Sequence, residues 1–353
     1  PAIGNLDDDE EMEIIIGGYS GSGKIFAVNP DGSDVNGFPV QINEKVRGGV
    51  ALADFDQNGL VDIITVTESD HIWLIMDNGI VADGFPFEAS DKFKEAPAIL
   101  SINGELIILA GNENGNIYGV DGTGAQVLVY PTDSPISTGF AFTNGESEPL
   151  IYFGNDNGEL HCINISGDSQ PGWPVTFDGI INSTPIISDL NDDGTPEIIS
   201  GTSVGDQLVL FQDGTLYPHF PYRYEFQFIS PGTITDIDND GDIEIIMGST
   251  HSTAMTDIKS PASVGSHWNT FQGGPLRTGL FNSNLETGCP NPEPGDLNCD
   301  ELLDVLDIVI LVNIIVHPDD PVPDDHELWA ADLNLDGGID ILDAVILVNM
   351  IIN

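Results

Sequence analysis

The chain of 353 residues carries 58 Asp and Glu against 8 Lys and Arg, a formal charge of −50 at neutral pH. Such a polyanion repels nucleic acid, anionic membrane and polyanionic substrates, so its natural partners are cations; a halophile's solvated surface has the same composition. No stretch reaches the roughly 18 to 20 consecutive apolar residues of a membrane span, and an opening on Pro1, with neither Met nor a signal-like segment, reads as a mature or excised C-terminal portion.

The length exceeds one ordinary domain, and the character of the sequence changes near residue 282. The expected organisation is a repeat domain over 1–281, a Pro-rich linker over 282–294 and a small domain over 295–353.

Before residue 282 an aromatic recurs at one phase: Phe38, Phe85, Tyr130, Trp173, Phe220 and Trp268, at intervals of 43 to 48 residues, with a Pro directly after the first five. Upstream of each lies a segment of small residues, then a β-type run such as "DIITVT" or "EIISG", then a further short strand such as "HIWLIM". Strands of this length between Gly, Asn and Asp turns at a regular spacing predict an all-β repeat. Small residues at one phase suit strands crowded around a common axis, so the fold expected is a β-propeller of six blades. A seventh blade, lost with an absent N-terminus, is the alternative.

Four repeats carry an oxygen-rich loop between the small-residue strand and the next. The first offers Asn5, Asp7, Asp9 and Glu13, with the Glu11 carbonyl at loop position 7; the second Asp54, Asp56, Asn58 and Asp62, with Leu60. The third offers Asp189, Asn191, Asp193 and Glu197, with Thr195; the fourth Asp236, Asp238, Asp240 and Glu244, with Asp242. Hard oxygens at alternate positions suit Ca²⁺ in its coordination by six to eight ligands. Gly59, Gly194 and Gly241 stand at position 6, where the turn is expected to be obstructed by a Cβ; Glu10 replaces glycine in the first loop. The third and fourth repeats lack the ligand set. With the signature D-x-D-x-D-G-x-x-D matched in the last three loops, residues 1–281 resemble the FG-GAP/VCBS calcium-loop propeller repeats. That resemblance implies a fold and a metal but no single activity.

Three cysteines follow different logics. Cys162, in the apparent strand "ELHCINI", reads as a buried small hydrophobe. Cys289 and Cys299 flank "PNPEPGDLN", close enough for a disulfide that would staple the linker to the next acidic loop, with two free thiols as the alternative.

The C-terminal stretch "GDLNCDELLDVLDIVILVN" recurs 36 residues later as "ADLNLDGGIDILDAVILVN". Asp296, Asn298, Asp300, Leu302 (by its carbonyl), Asp304 and Asp307 fall at positions 1, 3, 5, 7, 9 and 12 of an EF-hand-type loop, and Asp332, Asn334, Asp336, Gly338 (by its carbonyl), Asp340 and Asp343 repeat the set. Helices are expected over 308–316 and 344–352, without the entering helix of a full EF-hand. Two loop-helix units behind a Pro-rich linker resemble a dockerin domain, with Glu301 departing from the family's Gly at position 6. The resemblance implies a cohesin partner met by Val305, Leu306, Val312 and Asn313 in the first copy and by Ile341, Leu342, Val348 and Asn349 in the second. Helices this apolar cannot bury every face in so small a domain; packing of these residues on the repeat domain is the alternative.

About six Ca²⁺ sites are thus expected, in a secreted, extracellular or cell-surface chain. The eight basic residues and seven histidines form no recognisable catalytic constellation. The expected function is non-catalytic: the repeat domain is a binding or structural scaffold, for which a carbohydrate or cell-surface ligand is conceivable. The small domain attaches to a cohesin-like protein or another copy of the chain. A calcium-dependent polysaccharide lyase, or the accessory region of a secreted hydrolase, is the alternative.

Overall fold

The computed structural model describes residues 1–353 except 8, 10, 20–22, 146–147, 239, 263–266, 284–293, 298–302, 304, 317–329, 332, 334–338, 340 and 353. The chain divides into two units, Pro1–Ser283 and Asn284–Asn353.

The first unit is a succession of six small antiparallel sheets, each formed by strands consecutive in sequence. Sheet 1 contains β1 (Ala2–Gly4), β2 (Glu13–Gly17), β3 (Lys24–Val28) and β4 (Val40–Gln41); sheet 2 contains β5 (Val50–Ala53), β6 (Asp62–Val66), β7 (His71–Ile75) and β8 (Phe87–Glu88). Sheet 3 follows with β9 (Ala98–Ile102), β10 (Glu105–Gly111), β11 (Asn116–Asp121) and β12 (Gln126–Pro131), and sheet 4 with β13 (Ala141–Asn144), β14 (Pro149–Gly154), β15 (Glu159–Asn164) and β16 (Val175–Thr176). Sheet 5 has β17 (Ile181–Ser188), β18 (Glu197–Thr202), β19 (Asp206–Leu210) and β20 (Tyr222–Arg223); sheet 6 has only β21 (Phe228–Thr235), β22 (Asp242–Ser249) and β23 (Thr253–Pro261).

The second strands of sheets 2, 4 and 5 are buried along their whole length, which is why their sequences are apolar at consecutive positions rather than alternating. Their two faces serve two neighbours. Ile15 and Ile25 of sheet 1 meet Leu52 and Ile63 of sheet 2 in one cluster; Ile64 and Leu74 of sheet 2 meet Ile99 and Ile108 of sheet 3. Sheets 3, 4 and 5 share a third cluster through Leu100, Ile151 and Ile198, and Ile186 and Ile199 of sheet 5 pack on Ile243 and Ile245 of sheet 6. Each fully buried Ile contributes about 1.5 to 3 kcal/mol. No apolar cluster among the described residues joins sheet 6 to sheet 1. Six sheets are present, therefore, without an apolar cluster among the described residues that joins the last to the first.

Outside the core, adjacent sheets touch through paired glycines. A Cβ on Gly37 would lie 2.2 Å from the Asn78 carbonyl oxygen, and one on Gly79 would lie 2.5 Å from that of Gly37. Both residues also have positive φ, so neither position accepts a side chain.

The last part of the unit crosses the innermost strands. Ile187 of β17 donates its N–H to the Trp268 carbonyl at 2.8 Å, Ile234 of β21 to Asn269 at 3.2 Å, and Ile3 of β1 to Leu276 at 2.9 Å. Leu52 of β5 donates to Thr278 and Ile99 of β9 to Gly279, both at 2.7 Å. The chain then forms β24 (Leu280–Asn282), parallel to β9. Phe142 of β13 completes the set, with ring centroids 5.0 Å from Trp268 and 5.4 Å from Phe281. One segment thus contacts the first strand of all six sheets.

This corrects the reading of Trp268 as the sixth member of the aromatic series. Phe38, Phe85, Trp173 and Phe220 precede prolines across cis peptide bonds, Tyr130 lies inside β12, and Trp268 belongs to the crossing segment, sheet 6 having no fourth strand among the described residues to carry it. Cys162 is fully buried with a free thiol, as expected, and burial pushes that thiol up to about 12.

In the second unit, α1 (Val305–Val316) and α2 (Ile341–Ile352) pack together around Leu297, Leu311, Ala331, Ala344 and Leu347. Both helices begin three residues earlier than expected, which places Asp307 and Asp343 inside their first turns. Acidic side chains are favoured there by the exposed N–H groups and the positive end of the helix dipole. No helix of the described residues is long and apolar enough to cross a membrane.

Candidate metal loops and an apolar helix face

The four loops of the first unit share one device. The carboxylate at position 9 turns inward and accepts the N–H of the residue at position 2: Leu6 to Glu13 at 2.7 Å, Phe55 to Asp62 at 2.8 Å, Leu190 to Glu197 at 2.8 Å and Ile237 to Glu244 at 2.8 Å. Each of these acids starts or lies within the second strand of its sheet, and all four are buried. The bond closes the loop on itself; in the second loop the other Asp62 oxygen also accepts the Asp77 N–H at 2.9 Å.

Side-chain oxygens at positions 1 to 5 accept loop N–H groups in turn. Gly59 donates to Asp54 Oδ2 at 2.7 Å and Gly194 to Asp189 Oδ2 at 2.7 Å; Leu60 and Thr195 donate to Asn58 and Asp193. A carboxylate oxygen has two lone pairs, so these bonds orient the ligands without exhausting them. The glycines at position 6 are needed for the turn itself, not for room beside a neighbour. A Cβ on Gly59, Gly194 or Gly241 meets nothing within 4 Å, whereas their φ values of 90°, 81° and 88° lie where an L side chain is strained.

Acidic oxygens of Asp7, Asp9 and Glu13 meet within 4.8 Å, as do those of Asp54, Asp56 and Asp62. In the fourth loop Glu244 is shared by two such groups, one with Asp236 and Asp238 and one with Asp240 and Asp242. The third loop, with the amide Asn191 at position 3, shows no equal convergence of acids among the described residues. Glu11 and Thr195 are exposed and Leu60 is half-buried.

The donor set fits a hard dication. Glu13 Oε1, Glu197 Oε1, Asp236 Oδ1 and Asp242 Oδ1 are buried oxygens without a hydrogen-bond donor, an arrangement that costs free energy unless a cation faces them. Burial, against the lowering effect of its backbone hydrogen bonds, raises the Asp62 carboxyl to about 6 and that of Glu197 to about 7. Glu13 is raised for the same reason, with Asp7 and Asp9 adding to it. A bound dication removes both causes.

The third and fourth repeats resolve their missing loops differently. Asn103 and Gly104, both at positive φ, form a two-residue hairpin between β9 and β10, the turn chemistry of Asn-Gly.

The second unit repeats the inward carboxylate at a longer span. Leu297 donates its N–H to Asp307 Oδ1 at 2.9 Å and Leu333 to Asp343 Oδ1 at 3.0 Å; both acids are fully buried, and Asp296 nearly so. The expected ligands Asn298, Asp300, Leu302, Asp304, Asp332, Asn334, Asp336, Gly338 and Asp340 lie outside the described residues, and so do Cys289 and Cys299.

Of the expected partner-binding residues, Val312, Ile341 and Leu342 are exposed, Val348 is half-buried, and Asn349 is exposed with its amide donating to the Val345 carbonyl at 2.8 Å. The side chains of Val305, Leu306 and Asn313 lie outside the described residues. Val309 and Val345, equivalent positions in the two copies, are also exposed and extend the apolar stripe. Sequence reasoning missed them; the 36-residue offset joined to a three-residue helical step from Val312 and Val348 would have found both.

Asn164, in the sequence Asn-Ile-Ser, is buried in β15 and its amide donates to Glu148 at 2.7 Å. His71 is likewise engaged, its Nδ1 2.8 Å from Glu44, which also accepts from Thr67 and Trp73.

Residues 294–352 match the family model for the dockerin type I domain. No curated protein matches the chain. Among solved structures, BBS1N in complex with ARL6DN, soaked with lead, shares 12% identity at a TM-score of 0.50, covering 72% of this chain and 76% of that one. The V. cholerae biofilm matrix protein Bap1 shares 18% identity at a TM-score of 0.51, covering 66% of this chain and 41% of that one. At these identities the likeness concerns the fold alone.

Proposed function

We propose that the chain is a non-catalytic, secreted calcium-binding module whose small C-terminal unit attaches it to a cohesin-like protein. The observation that carries the reading is the twin pair Leu297 to Asp307 and Leu333 to Asp343, the same bond at the same offset, inside the segment that matches the dockerin type I domain. A buried carboxylate is thereby anchored at the far end of each loop, at the twelfth position where an EF-hand-type loop places its last acidic ligand. The exposed valines and isoleucines of α1 and α2 then supply an apolar docking face.

In the first unit we read the six sheets as blades of a propeller, supported by their consecutive order and by the segment that touches every innermost strand. Its role is a rigid scaffold, with calcium in the loops led by Asn5, Asp54, Asp189 and Asp236. Bound calcium supplies electrostatic neutralisation: it faces the orphaned oxygens and cancels repulsion among the clustered carboxylates. Free calcium at ~100 times the dissociation constant stabilises by about 2.7 kcal/mol per site.

The test is binding of the whole chain to an immobilised type I cohesin, with millimolar calcium and again with chelator. Capture in calcium and release by chelator are expected. Equal retention under both conditions, or none under either, rejects the attachment role.

A further inference from the structure

The backbone bonds of the crossing segment fall at one phase relative to the four calcium-type loops. In each loop-bearing sheet the acid at position 9 stands directly opposite the residue that precedes position 1: Gly4 opposite Glu13, Ala53 opposite Asp62, Ser188 opposite Glu197 and Thr235 opposite Glu244. One residue further back lies the N–H donated to the crossing segment, from Ile3 to Leu276, Leu52 to Thr278, Ile187 to Trp268 and Ile234 to Asn269. Sheet 3 has no such loop, and there the phase is lost. Its hairpin is closed by Ile102 opposite Glu105, and the donor to Gly279 is Ile99, three residues back. The segment is thus fastened at the root of every loop that bears the ligand set, two residues ahead of Asn5, Asp54, Asp189 and Asp236.

The segment is itself braced into one piece. Gln272, buried and at a φ of 57°, donates its amide to the carbonyls of Val50 at 3.0 Å and Pro97 at 3.4 Å. Its own carbonyl accepts the Gly279 N–H at 3.1 Å, while Gly273 donates to Thr270 and Arg277 to Gly274. These bonds tie residues 268 and 269, which hold sheets 5 and 6, to residues 276 and 278, which hold sheets 1 and 2.

We propose that residues 268–279 form a latch that couples the four loops, so that calcium in one raises the affinity of the other three; the inference rests on the reading of these loops as calcium sites. The two states differ in definable contacts. Latched, the four N–H groups are paired, and the position 1 ligand is held beside the strand that carries the position 9 acid. Unlatched, the end of the first strand is free to draw the position 1 ligand away from that acid. A dication bridging the two prefers the latched state. Because one segment serves all four roots, the preference is shared among the loops and is reciprocal. A segment that merely closed the unit would need no fixed phase with the ligand positions.

The experiment uses the whole chain, titrated calorimetrically with calcium and followed by hydrogen exchange in peptides containing Ile3, Leu52, Ile187 and Ile234. In the parent chain at sub-saturating calcium the four peptides are expected to gain protection together; protection gained one loop at a time overturns the proposal without any variant. Asp54→Asn/Asp56→Asn removes two charges from the second loop and keeps its hydrogen-bond acceptors. It is expected to weaken the remaining sites of the first unit by about fivefold or more, and to quicken exchange at Ile3, Ile187 and Ile234 as well as at Leu52. Gln272→Asn suits the same backbone conformation but is one methylene too short to hold both carbonyls. With every ligand in place, it is expected to cut that remote effect to less than about twofold. A remote effect that survives Gln272→Asn overturns the latch as its route. Effects of the second-loop variant that stop at Leu52 overturn the proposal and leave the calcium sites standing. Exchange that is identical in calcium and in chelator throughout the first unit overturns the reading of the loops, and the proposal with it.

Discussion

The Lys259 ammonium sits 3.2 Å from the Asp240 carboxylate, in the one calcium-type loop whose ligand positions carry five acids. It also approaches Asp242 at 3.3 Å and Asp257 at 2.6 Å. With so few basic residues in the chain, this one partly neutralises the loop that has the greatest surplus of charge. Lys259→Met should therefore raise the calcium affinity of that loop by roughly three- to tenfold, since a competing cation is removed. Calorimetric titration of the variant beside the parent chain checks it; superimposable isotherms would show that the lysine is a bystander.

Asp307 and Asp343 each hold a backbone N–H ten residues away, buried at Leu297 and half-buried at Leu333. Replacing either by Ala removes an acceptor and leaves the amide unpaired, at a cost of about 1 to 3 kcal/mol. In so small a core that is a large fraction of the stability. Asp307→Ala is expected to abolish the calcium-dependent part of the helical signal in far-UV circular dichroism, and Asp307→Asn, which still accepts the bond, to weaken it only partly.

Protons and calcium should compete in the first unit. Asp62 and Glu197 are raised by burial to about 6 and about 7, above their ordinary values of 3.8 and 4.5. A raised carboxylate favours the folded state fully below its unfolded pKa, and that contribution is lost as pH climbs through the folded value. The metal-free protein should therefore lose stability between pH 4 and about 7, whereas millimolar calcium should flatten or reverse the trend. Thermal midpoints across this range report it, and Glu197→Gln should remove the upper part of the metal-free slope.

Trp268 should matter beyond its neighbourhood. It is buried against Phe142 and its carbonyl holds Ile187. Trp268→Ala is expected to cost about 3 to 5 kcal/mol and to lower one cooperative transition of the whole unit. Urea unfolding followed by far-UV signal measures this; a change confined to local fluorescence would mean that the crossing segment is an appendage.

Much of this was legible before any coordinates. Turn residues and loop acids are written at fixed phase, and the inward acids Glu13, Asp62, Glu197 and Glu244 occupy the ninth position that the loop pattern assigns them. The failures have physical causes. Trp268 kept the spacing of the aromatic series, and spacing does not reveal whether a fourth strand is present to receive the residue. The apolar run "EIIIG" reads the same whether one or both of its faces are covered, so the exposure of Ile14 and Ile16 was invisible. The helix starts were set late because Asp307 and Asp343 were read as loop ligands, although an acid serves equally in a first helical turn. Lys259 lies fifteen residues from the end of the loop it neutralises, and only the pairing of β22 with β23 brings it there.

The crossing segment also dictates an order of events during synthesis. The first strands of five sheets find backbone partners, and that of the sixth finds ring contacts through Phe142, only in residues 268–283, so a nascent chain that has made every sheet still lacks the piece that ties them together. Contacts of such long sequence separation form slowly and leave incomplete intermediates exposed. A chain truncated before residue 268 would therefore be expected to yield an aggregation-prone product rather than a shorter working one.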